Sequence, residues 1–158
     1  MDEITEQLLE AWRTNNRINL FLIDAISDEA MKCTLSTRGG RNVVRQFAHL
    51  HMVRYWHLEK RAKDLIEGLH KFATKDEPDR EFLKDTLSDS EARVETLLVD
   101  TALGKPKRRG FKRGPIQMLS YFIAHESHHR GSILLTLKQS GHKVEQAASY
   151  AIWDWDRF

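Results

Sequence analysis

Apolar residues along the chain recur at helical spacing, and no segment alternates apolar and polar residues with the two-residue period of a strand. From Asp2 to about Ile26, the positions Ile4, Leu8, Trp12, Leu20 or Phe21, and Ala25 predict one amphipathic helix, with Asp2 and Glu3 at the positive end of its dipole. Ser27 to Arg41 interrupts the pattern with Ser27, Asp28, Ser36, Thr37 and the Gly39-Gly40 pair, a connector composition that ends at Asn42 as an N-cap. A second helix is expected from about Asn42 to Leu69, with Val43, Phe47, Leu50, Val53, Leu58 and Leu65 on a broad apolar face. His70 to Asp79 carries no period and contains Pro78, so it reads as a linker.

A third helix is marked between about Asp79 and Ala102 by Phe82, Leu83, Leu87, Val94, Leu97 and Leu98. Its start has two readings, because Ser88 with Glu91 also forms a capping-box pattern that would begin a separate helix. Gly104 to Gly114 is a basic loop. Pro115 then opens a fourth helix, where its missing N–H does no harm, and this helix runs to about Ser140 before Gly141. The chain ends in YAIWDWDRF, read as a short helix packing its tryptophans onto the rest.

Four helices of about 24 to 28 residues would each measure roughly 36 to 42 Å, lengths matched well enough for an all-α four-helix bundle with a short C-terminal segment packed on it. Composition agrees. The chain has 158 residues, which suits one domain over 1–158, and it holds only 8 glycines and 3 prolines. A single cysteine excludes a disulfide framework, no apolar run reaches the roughly 20 residues of a membrane span, and the N-terminus lacks a secretory pattern. These features lead us to expect a cytoplasmic protein without membrane attachment. The formal net charge of +2 gives no reason to expect a nucleic-acid partner. Histidine, at 8 residues, is the count that stands out.

The fourth helix contains IAHESHHRGSI, in which His125 and His129 are four residues apart and therefore one turn apart on the same face. That spacing lets two imidazoles bind one metal ion. Leu119, Phe122, Ile133 and Leu137 share a broad arc with them, so the pair sits on or beside the buried stripe. The competing reading is a pair of hydrogen-bonded histidines in the core or at its rim. A third ligand must come from another helix, and the second helix offers His49, His51 and His57 in QFAHLHMVRYWHLEK. Periodicity does not choose among them and by itself slightly favours His57, on the apolar face.

The runs HESHHRGSILLTLKQSGH, QFAHLHMVRYWHLE and YAIWDWDR together resemble the DinB/YfiT-like family of metal-binding four-helix bundles, over essentially the whole chain. The intervening LEKRAKDLIEGLHKFATKDEPDRE resembles that family only in helical character. In the family, one histidine near the start of the second helix and the two of an HxxxH–RG pattern bind a divalent metal. The resemblance thus implies His49, His125 and His129 as ligands, and it selects His49 where periodicity does not. It also implies a homodimer, a small-molecule substrate, and an activity among thiol S-transferases, thiol-dependent isomerases or hydrolases. Three histidines leave an open position for water or for the thiolate of a low-molecular-weight thiol. Zinc or nickel leads among the metals, with iron, manganese or copper also admitted, since ligand type alone does not decide. Asn16 and Asn19 are candidates for lining the cavity, or else solvated polar positions. The alternative role is a metal-binding or interaction bundle without turnover.

Three further readings compete. The run also fits H-E-x-x-H, with Glu126 as the general base of a metalloprotease, although Ser132 and Leu135 break the extended pattern and no strand accompanies it. Glu126-x-x-His129 and Glu67-x-x-His70 match the spacing of ferritin-like di-iron proteins, but Glu67 falls at a helix end beside Gly68. The loop Lys105 to Arg113 carries six basic residues with Phe111 as a stacking group, a candidate for phosphate or an anionic thiol, set against a plain solvated connector. Cys33, in a connector, reads as a packing residue.

Overall fold

The computed structural model describes residues 2–158, and every regular element among them is helical. Six α-helices follow in order: α1 (Glu3–Asp24), α2 (Asp28–Met31), α3 (Val43–Arg61), α4 (Arg80–Ala102), α5 (Pro115–Gln139) and α6 (Gln146–Ala151). Single 3-10 turns occur at Lys63–Ile66 and Trp155–Arg157. The four long helices form a bundle in which α1 and α3 each pack against both α4 and α5.

Side-chain caps fix where most of these helices start. Asp2 accepts the Thr5 N–H at 2.9 Å, Asn42 that of Arg45 at 3.1 Å, and Asp79 that of Phe82 at 2.9 Å, each relieving one of the orphan donors of a first turn. The α5 helix starts differently. Gly114 sits at φ 98°, a conformation open to glycine, and hands the chain to Pro115. The core is built from Trp12, Phe47, Leu50, Leu58, Leu83, Leu87, Leu97, Phe122, Ile133 and Leu137, all fully buried. Each such side chain contributes roughly 1.5–3 kcal/mol by leaving water.

Several boundaries and faces differ from the sequence expectation. The second long helix stops at Arg61 rather than Leu69, because Ala62 leaves helical geometry (φ −154°, ψ 67°) and the chain turns back to bury Leu69 and Phe72. Gly68, at φ 73°, lies within that return. The third is one uninterrupted helix from Arg80, and Ser88 donates its hydroxyl to the Lys84 carbonyl instead of capping. The connector after α1 contains the single turn α2, capped by Ser27 on the Ala30 N–H at 3.2 Å. Cys33, partly buried, packs against the core.

The buried face of α1 also departs from the expected one. Ile4 and Ala25 are exposed, and the inward positions include Leu9, Trp12, Asn15, Asn16, Ile18, Asn19, Leu22 and Ile23. Three asparagines occupy the middle of the stripe, which is why an apolar count misplaces it. The C-terminal tryptophans are corrected as well. Ala151 and Ile152 anchor the segment, while Trp153 is 78% exposed and Trp155 36%.

Candidate metal centre

On α5, His125 and His129 lie one turn apart and face α3, which brings up His49. The ring centroids are 5.6 Å apart for His49–His125, 4.9 Å for His49–His129 and 4.7 Å for His125–His129. One nitrogen from each ring lies within 4.8 Å of the other two. Trp56 flanks His49 edge-on at 5.9 Å and Tyr121 stacks beside His125 at 6.0 Å, so aromatic walls bound the cluster on both helices.

All three imidazoles are half-buried, and the cost of holding a charge there lowers their basicity. Burial first, then the nearby charge of Arg41 and the other two rings, pushes His49 down to about 4. Burial and the neighbouring histidines push His129 down to about 4, and burial also lowers His125. Near neutrality these rings therefore keep the lone pairs that metal coordination needs. The Nδ1 atoms of His125 and His129 are buried and have no hydrogen-bond partner among the described residues. A cation of the kind that imidazoles bind fits this donor set: three neutral nitrogens from two rigid helices, two of the rings carrying a nitrogen that the protein leaves unsatisfied.

The other candidate histidines have other employment. His57 accepts from the Arg61 Nε at 3.2 Å and packs among Phe111, Tyr121 and Phe122. His51 is wholly buried, with its ring nitrogens 2.9 Å from the Thr86 carbonyl and 2.8 Å from that of His70. His128 is exposed beside His129.

Directly behind the cluster lies a buried polar network that the apolar pattern did not reveal. Glu126, next to His125, receives Arg54 Nε at 2.7 Å and Nη2 at 2.8 Å on its two oxygens. Asn15 and Asn19 donate to the same carboxylate at 2.6 and 2.7 Å, and their own oxygens accept from Arg130 at 2.8 Å each. Arg54 also donates to Asn16 at 3.0 Å and to the Leu87 carbonyl at 2.8 Å, and lies 4.7 Å over the Trp12 ring. Full burial pushes the Glu126 carboxyl up, but Arg54, Arg130 and Asn19 outweigh it and hold the group below its ordinary value. Asn16 and Asn19 thus belong to this network and not to the cavities that touch His49 and His129. Arg54 had one legible signal: it stands four residues from both Leu50 and Leu58, a charge in the middle of an apolar stripe.

This network closes two of the competing readings. Glu126 is 1% exposed, and both its oxygens are occupied by donors, so it is no general base facing a substrate. Glu67 lies outside every helix, in the loop after the 3-10 turn, and provides no di-iron partner for it. The basic loop is tied down in large part. Arg108 bridges Asp64 and Asp100, Lys105 pairs with Asp100 at 2.7 Å, and Arg61 donates to the carbonyls of Arg109 and Gly110 while stacking on Phe111.

Two cavities open beside the histidines. One, of about 310 Å³, is bounded by His129, His128, Ser132 and Thr136 of α5, Gln46 of α3, and Arg41 with Thr34 and Ser36 of the preceding loop. A smaller one, of about 50 Å³, lies on the His49 side and is also bounded by Arg41. No helix is long and apolar enough to cross a membrane among the described residues. The DinB family model matches residues 1–156. No curated protein and no solved structure matches the chain.

Proposed function

The chain belongs to the DinB family, and from that membership we propose that it is a metal-dependent enzyme of the thiol S-transferase or hydrolase type, with His49, His125 and His129 holding one divalent ion. The observation that carries the reading is the convergence of three neutral imidazole nitrogens, each within 4.8 Å of the others, from two helices locked by a buried ion pair. A divalent ion held there would acidify a bound thiol or water and so supply a nucleophile at neutral pH. The protein's own contributions are separate from that chemistry. Burial keeps the three rings unprotonated, Trp56 and Tyr121 wall the site, and Ser132, Gln46 and His128 line the adjoining cavity, where polar substrate groups would be held.

The test is elemental analysis of protein purified without a histidine tag, followed by a screen of low-molecular-weight thiols against an activated electrophile, and of ester and amide substrates. About one zinc or nickel per chain together with metal-dependent turnover of either substrate class is expected. A chain that takes up no metal overturns the reading, and stoichiometric metal without turnover of any substrate leaves a metal-binding bundle in its place.

A further inference from the structure

We infer that the guanidinium of Arg41 anchors an anionic group, a carboxylate, on the small molecule taken by the His49, His125 and His129 site, so that this site selects acidic substrates. The inference rests on the metal reading above and adds the substrate class to it. Arg41 borders both cavities that touch the cluster, the one beside His129 and the one beside His49, and so stands at the mouth of the site from either side.

Unlike the other arginines around the site, Arg41 is uncommitted. Arg54 and Arg130 are consumed by the buried network, and Arg45 donates to the Thr74 carbonyl at 3.1 Å. The Arg41 side chain is exposed and makes no hydrogen bond or ion pair among the described residues; only its backbone is held, by the Thr34 hydroxyl on its carbonyl at 3.2 Å. The loop in front of it is folded around Ser36, whose hydroxyl accepts the N–H groups of Arg38 and Gly40 at 3.2 and 2.8 Å. On the other side Asn42 caps α3 and donates to Glu77 at 2.7 Å. A free charge is thus carried on a fixed stretch of backbone.

The lining of the larger cavity sets the sign of the ligand. Its side chains are a guanidinium, two imidazoles, an amide, hydroxyls and two leucines, and no carboxylate is among them. With a divalent ion on the histidines, the cavity would hold only positive formal charge, which an anionic molecule neutralises and a cationic one aggravates. Planar, two-point pairing makes a carboxylate the natural partner of a guanidinium.

The experiment uses cobalt-loaded full-length protein titrated with 3-mercaptopropionate and with its uncharged relative 3-mercaptopropionamide, binding being read from thiolate-to-cobalt absorption. The wild type is expected to bind the carboxylate about fivefold more tightly than the amide, the scale of a partly exposed ion pair. Arg41→Gln abolishes the preference, Arg41→Glu reverses it, and Arg38→Gln, on the same loop but outside the cavity, keeps it. Equal affinities in the wild type, or a preference that survives Arg41→Gln, overturns the inference while leaving the metal reading intact. Absence of the cobalt spectrum before any thiol is added overturns both.

Discussion

Arg54 on α3 and Glu126 on α5 meet as a two-point ion pair, with both side chains sealed from solvent. Because Glu126 directly follows His125, this contact fixes how α5 is rotated about its axis. Asn15 and Asn19 hold the same carboxylate from α1, so three helices are clamped at one level. Turning Glu126 inward places His125 and His129 about 100° and 60° around the helix from it in the same direction, on the side that faces α3.

Glu126→Gln is accordingly expected to act on stability. It removes the charge that balances Arg54 and Arg130 and leaves both buried guanidiniums short of a counter-ion, a loss on the order of 3–5 kcal/mol when one partner of a buried pair is removed. Urea unfolding at neutral pH measures it. A general-base role would instead predict wild-type stability with activity lost, and that outcome would contradict a clamping role for the carboxylate.

The long helices were legible because their apolar spacing and their caps agree: Asp2, Asn42, Asp79 and Pro115 mark their starts. The His125–His129 pair was legible for the same reason, since helical spacing carries its own geometry. What pattern could not supply was the partner from α3. His57 falls on the apolar face and His49 and His51 at its two edges, a difference that does not identify a ligand, and only tertiary packing assigns His51 to backbone carbonyls and His57 to Arg61. The network behind the site was hidden by the rule that polar residues face water. Asn15, Asn16, Asn19, Arg54 and Arg130 are buried because they satisfy one another, a condition no single helix displays. The early end of α3 was hidden similarly, since Leu65 and Leu69 continue a helical spacing that the chain abandons to bury Leu69 and Phe72.

Acid should destabilise the metal-free protein through its half-buried histidines. Burial pushes His49, His57 and His129 down to about 4, whereas in the unfolded chain such rings take up protons near pH 6.5. Between those values the unfolded state binds more protons, so stability is complete above about pH 6.5 and falls as pH drops toward about 4. These rings are only half-buried, which moderates the slope. Urea midpoints in the presence of a chelator, at neutral pH and near pH 5, would show the decline, and His57→Phe should make it shallower. Identical midpoints would refute the assignment of neutral rings.

Arg108 is expected to matter for the fold of the basic loop more than for any ligand. Its guanidinium joins Asp64, after α3, to Asp100, near the end of α4, and Asp100 is 4% exposed. Arg108→Ala frees the loop on one side and leaves Asp100 with Lys105 alone. A loss of about 1–3 kcal/mol follows from stripping a charged hydrogen-bond donor from a buried carboxylate. Proteolysis should then cut within residues 104–114 sooner than in the wild type. Lys112→Ala, at an exposed position without an ion pair among the described residues, serves as the control expected to change neither quantity.

The metal assignment separates three histidines from the rest by a thermodynamic signature that needs no knowledge of the substrate. A ligand that binds only the folded state stabilises it by about 2.7 kcal/mol at a hundred times its Kd. For a chain of this length that corresponds to an increase in Tm of roughly 5–10 °C. Adding zinc or nickel to chelator-treated wild type should produce such a shift. His49→Ala, His125→Ala and His129→Ala should each lose most of it, because removing any one ring leaves two donors where three converge within 4.8 Å. His57→Ala and His128→Ala should keep it, since the first ring is taken by Arg61 and its aromatic neighbours and the second lies outside the cluster. A shift that persists in His49→Ala and disappears in His57→Ala would move the third ligand one helical face away, the position that apolar periodicity alone slightly favours.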